Sequence, residues 1–210
     1  MSRRGGVSIR SAGVIGFWII ALATVAACGE VRAATTKQRS LAALVLRRSE
    51  APGGTRYMPQ MSGPGALARQ GASSRTIAEL ERFGFRSDYA RQFYGTNPHA
   101  GIRGITSSVA EFRNPDGASK ALHFLRNILR EQHPEVGPVP VAGLGEEAWG
   151  YGGRFFREAP PTFTAFYYAW RSRDLVLSVA IAGSKRVVTQ RTARLLADKV
   201  ANRTRGAGGR

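Results

Sequence analysis

The chain has 210 residues and a formal charge of +17 at pH 7, from 31 basic and 14 acidic residues. This length suits one domain with a proper core and is too short for two domains of ordinary size. The single cysteine excludes a disulfide within the chain and a site built from several cysteines.

The first residues have the three-part layout of a secretory signal. Arg3, Arg4 and Arg10 form a basic head, residues 12–27 form an apolar run, and no acidic residue appears before Glu30. The alternative is a retained transmembrane anchor, but the run of about 16 residues is shorter than the roughly 20 that a spanning helix needs. Cleavage is therefore favoured.

The end of this signal, Val25-Ala26-Ala27-Cys28-Gly29, resembles a bacterial lipoprotein box. The resemblance implies a signal peptide over residues 1–27, cleavage before Cys28, and acylation of the Cys28 thiol. A protein with two or more acyl chains is stably attached to a bilayer. We therefore expect a flexible tether over residues 28–40 and a protein anchored by lipid to the outer face of the cytoplasmic membrane.

The export route follows from the same segment. Arg3 and Arg4 suggest a twin-arginine signal, but Gly6 stands where that signal carries a large apolar residue. The general secretory route is the default expectation.

After the tether, the apolar run at residues 41–46 suits a helix or a strand, and we favour the helix. Turn-forming residues make residues 49–65 mostly irregular. Ser73 and Ser74 are suited to cap a helix that ends near Arg82, and residues 89–94 suit a short strand.

The second half of the chain has clearer patterns. Residues 102–112 predict a strand, a helix follows to about Gln132, and prolines prevent its continuation. Three further strands are predicted at residues 145–152, 162–171 and 175–182.

The end of the chain predicts one more helix. Ser184 is suited to cap it, and its inward stripe is predicted to consist of Val188, Leu195, Leu196 and Val200. The glycine-rich, basic residues 203–210 predict a disordered tail.

This order of elements predicts a single α+β domain over residues 41–202. Tight connections between neighbouring strands favour an antiparallel sheet of about five strands with helices packed on one face. In the last strand, alternation places Leu175, Leu177, Val179 and Ile181 on one face of the sheet.

Three short motifs carry a family resemblance. They are Phe112-x-x-Pro115-Asp116-x-Ala118, Val141-Ala142-Gly143-Leu144-Gly145-Glu146-Glu147-Ala148, and Tyr168-x-Trp170-Arg171-x-x-Asp174-x-Val176. With the terminal helix, they make residues 41–202 resemble envelope lipoproteins of actinobacteria and related high-G+C lineages. The chain is more distantly similar to extracellular sensor-type domains. The resemblance implies an exported, non-catalytic domain and assigns no functional residues.

No motif predicts catalysis, a cofactor or a metal. The Gly143–Gly145 turn lacks the third glycine and the context of a dinucleotide site, and adjacent Glu146 and Glu147 would point to opposite faces of a strand. The three histidines show no ligand spacing, and no serine lies in a nucleophile motif. An envelope hydrolase with dispersed catalytic residues is the alternative function.

Aromatic residues crowd into the region of residues 149–170. The plain interpretation is that they complete the core, because aromatic side chains commonly dominate core burial. The alternative is a groove for an apolar or glycan ligand, in which arginines hold an anionic group. Its candidate residues are Trp149, Tyr151, Arg154, Phe155 and Arg157.

Basic residues are scattered, which favours an ordinary solvated surface. The densest group falls on the last helix and predicts a possible membrane-surface contact at Arg191, Arg194, Lys199 and Arg203. Export argues against nucleic acid as the partner. We therefore expect a lipid-anchored binding or sensor-like domain that recognises an anionic or amphipathic envelope component, or a partner protein that the sequence does not identify.

Overall fold

The structure, a computed structural model, describes residues 41–96, 101–155 and 163–207. The predicted signal peptide, Cys28 and the tether lie outside these residues. The described helices are α1 (Ala66–Arg69), α2 (Ser74–Arg82), α3 (Pro115–Gln132) and α4 (Gln190–Ala207). Residues 41–50, here called the N-terminal segment, are helical at residues 41–44 and end in a 3-10 turn at Arg48–Glu50.

The strands form one antiparallel sheet. They are β1 (Thr55–Tyr57), β2 (Gly63–Pro64), β3 (Phe85–Gly95), β4 (Ile102–Phe112), β5 (Gly137–Pro138), β6 (Glu147–Phe155), β7 (Phe163–Ser172) and β8 (Leu175–Gly183). Their order across the sheet is β1-β3-β4-β8-β7-β6-β5, and β2 also pairs with β3.

The prediction of about five strands is wrong, because the sheet has eight. The additional strands are β1, β2 and β5, which are two or three residues long and pair only at the two edges of the sheet. Strands this short have no alternating pattern, and β2 and β5 contain proline, which is tolerated at edges. Their pairing partners, distant in the sequence, hold them in place.

The prediction of helices on one face is also wrong, because both faces are covered. One face packs against α4 and the N-terminal segment, through core residues that include Leu177, Val179 and Ile181 of β8. The other packs against α1, α2 and α3, and there β8 contributes Val176 and Ala180. The predicted alternation in β8 is therefore confirmed, but its second set of small apolar residues is buried as well.

The N-terminal segment completes the α4 layer. The predicted helix is present at residues 41–44, and Leu41, Val45 and Leu46 are buried against the same cluster as α4. The Leu46 backbone N–H donates to Ser107 Oγ at 3.1 Å, which attaches the segment to β4. Burial of these apolar side chains drives the attachment.

Helix caps match the sequence at α2 but not at α4. Ser73 accepts a hydrogen bond from the Thr76 N–H, as predicted, and α3 is capped by Asn114. At α4, Thr189 rather than Ser184 caps the helix, since the Thr192 N–H donates to Thr189 Oγ1 at 3.1 Å.

The C-terminal end of α4 and one residue of its predicted inward stripe also differ from the prediction. The helix continues through Ala207, so residues 203–207 are helical rather than a disordered tail. Leu195, placed by periodicity in the inward stripe, is 55% exposed. The other three predicted residues, Val188, Leu196 and Val200, are buried, and Ala193 and Ala197 are buried beside them.

Gly117, near the start of α3, gives a prediction in which close packing reverses the usual effect of a helix substitution. Gly→Ala inside a helix ordinarily stabilises by about 1 kcal/mol. A methyl group at Gly117 would lie 2.0 Å from the backbone oxygen of Phe83 at the end of α2. We expect Gly117→Ala to lower the free energy of unfolding by more than about 1 kcal/mol in urea titrations. Asn127→Ala, at an exposed position of the same helix, is the control and should be neutral or stabilising.

Candidate functional site

An open pocket of about 520 Å³ lies at the edge of the sheet where β1 pairs with β3. Its lining combines three arginines with two tyrosines and, among the residues that the structure describes, contains no acidic residue. The lining residues are Ala42, Ala43, Arg47, Arg48, Tyr57, Tyr89 and Arg91. We call this the arginine pocket.

Two strands supply one wall of the arginine pocket. Tyr89 and Arg91 are two residues apart on β3 and so share one face of the sheet. Tyr57 comes from the adjacent strand β1, where it pairs with Phe93. Arg91 Nη1 donates to the Leu46 carbonyl oxygen at 2.9 Å, which joins this wall to the N-terminal segment.

The N-terminal segment supplies the opposite wall. The Arg48 guanidinium lies 4.0 Å from the centroid of the Tyr57 ring. Stacking on an aromatic face leaves the in-plane N–H donors of a guanidinium free for a ligand. The side chains of Arg47 and Arg48 are exposed. Such donors are suited to bind carboxylate or phosphate oxygens.

Glu50 holds this wall in place. Its carboxylate accepts a hydrogen bond from the Arg47 N–H at 2.6 Å and forms an ion pair with Arg203 near the end of α4. Arg203 also donates to the Val45 carbonyl oxygen. Burial alone would raise the pKa of Glu50, but the bonds from Arg203 and the Arg47 N–H outweigh it and leave the pKa below its ordinary value. The carboxylate is therefore charged at neutral pH and held by Arg203, and its charge also attracts Arg47, one of the pocket arginines.

The sequence analysis assigned the scattered basic residues, Arg47 and Arg48 among them, to an ordinary solvated surface and missed the arginine pocket. One feature of the sequence could have indicated the pocket. Tyr89 and Arg91 are two positions apart in a predicted strand, which places a tyrosine and an arginine side by side on one face of the sheet. Nothing in the sequence indicates that this strand lies beside residues 47 and 48, which are more than 40 positions away.

Four of the five predicted groove residues belong to β6, near the opposite edge of the sheet. Trp149 is buried beneath α3, donates from Nε1 to the Leu122 carbonyl oxygen at 2.9 Å, and stacks on Tyr167 at 5.2 Å between ring centroids. It is thus part of the core. Tyr151 is half-buried beside Trp149, and Arg154 is exposed. The side chain of Phe155 and all of Arg157 lie outside the described residues.

The four predicted membrane-contact residues divide into two pairs. Arg194 binds Asp198 at 3.0 Å and the Ala142 carbonyl oxygen at 2.5 Å, and Arg203 binds Glu50. These two guanidiniums therefore hold parts of the protein together. Arg191 and Lys199 have exposed side chains.

A serine, a histidine and a carboxylate meet at the start of β6. Ser119 Oγ donates to Glu147 Oε2 at 2.7 Å, and His123 Nε2 lies 3.5 Å from the same oxygen. In a catalytic triad the histidine lies between the nucleophile and the carboxylate. Here the serine binds the carboxylate directly. The bond from Ser119, assisted by Arg171, keeps the pKa of Glu147 below its ordinary value, which makes it a weak base.

Arg171 binds both of the adjacent glutamates, Glu146 and Glu147. Its guanidinium contacts Glu146 at 2.5 Å and Glu147 at 2.7 Å, and its side chain is 13% exposed. The expectation that the two carboxylates point to opposite faces is wrong, because Glu146 precedes the strand and turns toward the same arginine. The cluster stabilises the β6-β7 pairing.

A second, much smaller cavity lies between the sheet and α2. Its volume is about 20 Å³, which is enough for about one water molecule. Ser108 and Ser178, which are paired on adjacent strands and line this cavity, hydrogen bond to each other at 2.7 Å, and burial raises the pKa of Tyr167 to about 12. This cavity is too small for an organic ligand.

The described parts of the chain lack two further features. No group of three or more histidine, cysteine, aspartate or glutamate side chains there is placed to hold a metal ion. None of the described helices is both long and apolar enough to cross a membrane.

The fold and the site thus define a single α+β domain with a cationic pocket at one edge of an antiparallel sheet. No family model and no curated protein matches the chain. Among solved structures, it is similar to the extracellular domain of PknH from Mycobacterium tuberculosis. The TM-score is 0.45 at 13% identity, over 80% of this chain and 96% of that chain. A likeness of this size transfers no site or activity.

Glu50 predicts a pH dependence of stability. Because its pKa is lower in the folded state, the stabilisation that it contributes is present above about pH 4.5 and is lost as the pH falls through the folded-state pKa. We expect Glu50→Gln to lower the free energy of unfolding by about 1 kcal/mol at pH 7 and by less at pH 4. Glu81→Gln, at an exposed position on α2, should have little effect at either pH. An equal loss for Glu50→Gln at both values would contradict this role.

Proposed function

We propose that the chain is an envelope lipoprotein, attached through Cys28 to the outer face of the cytoplasmic membrane, whose domain binds an anionic envelope component without catalysis. The observation that carries the binding part is the arginine pocket, whose described lining combines three guanidiniums and two tyrosines with no carboxylate. The attachment is supported by the basic head, the apolar run and the lipoprotein box at residues 1–29.

The ligand class follows from the chemistry of the lining. Guanidinium groups bind phosphate and carboxylate oxygens through paired N–H donors, and tyrosine rings add apolar contact. A volume of about 520 Å³ lies within the range of small-ligand sites. The ligand is therefore an anionic group on a small molecule or at the end of an envelope polymer. Nucleic acid is not the proposed ligand, because the domain is proposed to lie outside the cytoplasm.

The position of the arginine pocket fits an anchored binding protein. Two of its arginines lie in the N-terminal segment, directly after the predicted tether. Glu50 and Arg203 hold that segment against α4, so the donors are arranged before a ligand arrives. A prearranged site loses less conformational entropy on binding.

Catalysis has weaker support. The arginine pocket offers positive charge but no histidine or carboxylate for proton transfer among its lining residues. The Ser119, His123 and Glu147 cluster brings together the residue types of a hydrolase, but its connectivity suits a structural role.

Acylation predicts a change in labelling. In cells that express the full chain and receive an alkyne fatty acid, the wild-type protein should carry the label and fractionate with membranes. Cys28→Ala should lose the label, since it lacks the only thiol in the chain. Ser49→Ala is a control that should label normally. Equal labelling of wild type and Cys28→Ala would refute the anchor.

Anion binding predicts a specific effect of Arg48. With pyrophosphate as a soluble probe in titration calorimetry, Arg48→Gln should weaken binding about tenfold, the effect of losing one charge-assisted contact. Arg75→Gln removes the same charge from an exposed position on α2 and should leave the affinity almost unchanged. If both variants weaken binding equally, the attraction comes from net charge and not from the arginine pocket.

A further inference from the structure

The outer side of α4 carries an apolar residue that the fold leaves in solvent. Leu195 is 55% exposed, and Val187, in the turn before the helix, is 40% exposed. The Thr192 hydroxyl donates to the Val187 carbonyl oxygen at 3.3 Å, so the turn is attached to the first turn of α4. Single exposed apolar residues are common on protein surfaces. The residues around Leu195 and Val187 therefore determine whether these two indicate a binding surface.

Cations surround both residues. Arg191 and Lys199 lie four positions before and after Leu195, which places all three on one side of the helix. Lys185 and Arg186 directly precede Val187, and all four cations are exposed. The single acidic residue of α4, Asp198, is bound by Arg194. An apolar residue within a cationic helix surface is typical of elements that lie on anionic bilayers.

This surface belongs to the same layer as the start of the domain. The N-terminal segment and α4 cover the same face of the sheet, and Lys199 Nζ lies 3.4 Å from the Glu50 carbonyl oxygen. The residues between Cys28 and the N-terminal segment reach at most about 45 Å when fully extended. An anchored domain therefore stays close enough to the bilayer for α4 to contact it.

We propose that the outer side of α4, with Lys185, Arg186, Val187, Arg191, Leu195 and Lys199, docks on the surface of a bilayer that contains anionic phospholipid. The cations contact headgroup phosphates, and Leu195 and Val187 enter the interface between headgroups and acyl chains. This revises the sequence prediction, because Arg194 and Arg203 form ion pairs within the protein, whereas Lys199 donates to a backbone carbonyl oxygen and stays exposed, and because the two apolar residues take part. The proposal rests on the proposed exposure to a membrane, but not on acylation or on the arginine pocket.

The test uses an environment-sensitive fluorophore at single positions. The full chain with Cys28→Ala has no thiol, so Leu195→Cys added to it places the label at one site. The uncleaved apolar leader holds every variant on the vesicles, whether or not the wild type is acylated. Vesicles of phosphatidylcholine with phosphatidylglycerol should shift the emission of the label to shorter wavelength, and nitroxide lipids should quench it.

The matched controls separate docking from mere proximity. Asn127→Cys, exposed on α3 at the opposite face of the sheet, should show neither the shift nor the quenching. Adding Arg191→Gln and Lys199→Gln should reduce the shift at position 195, and phosphatidylcholine alone should abolish it. A label at position 195 that remains as solvent-exposed as the label at position 127, or that shifts equally in both vesicle types, would overturn the proposal. The acylation assay on the unmodified chain is independent of this result.

Discussion

The burial of β8 on both faces is the constraint on which the rest of the structure depends. Val179 and Ile181 face α4, whereas Val176 and Ala180 face α3, and all four side chains are buried. A central strand that is apolar on both sides needs a helix layer on each face of its sheet. One layer is made by α1, α2 and α3. The first two of these helices precede β3 in the sequence, and α3 follows β4. Among the described residues, the other layer consists of α4 and the N-terminal segment.

The second layer also creates the arginine pocket. Once Leu41, Val45 and Leu46 are buried beside α4, the residues that follow must pass the edge of the sheet where β1 and β3 pair. Arg47 and Arg48 then lie opposite Tyr57, Tyr89 and Arg91 as a consequence of packing. The Glu50 and Arg203 ion pair holds both ends of this layer together. The same packing that completes the core therefore also positions the candidate ligand donors.

The sequence predicted elements well where a pattern repeats within one element. The capped helix α2, the long helix α3 and the strands β4, β7 and β8 are present near the predicted positions. The sequence predicted poorly where an element forms only because a partner is present, as at β1, β2 and β5. Leu195 shows a related limit, since a spacing of three or four residues defines a broad side of a helix but not the edge at which burial ends.

From the sequence alone came the class of domain, the alternation in β8, the single thiol and the predicted export signal, because each is encoded in residues that are neighbours along the chain. Only the tertiary structure decided that helices cover both faces, that Trp149 is a core residue, and that Arg203 pairs with Glu50. It also decided that a basic pair near the start of the domain faces two tyrosines of β1 and β3. The physical reason is that charge and aromatic groups become a binding site only when folding brings distant segments within a few ångströms of one another, and local composition does not specify those distances.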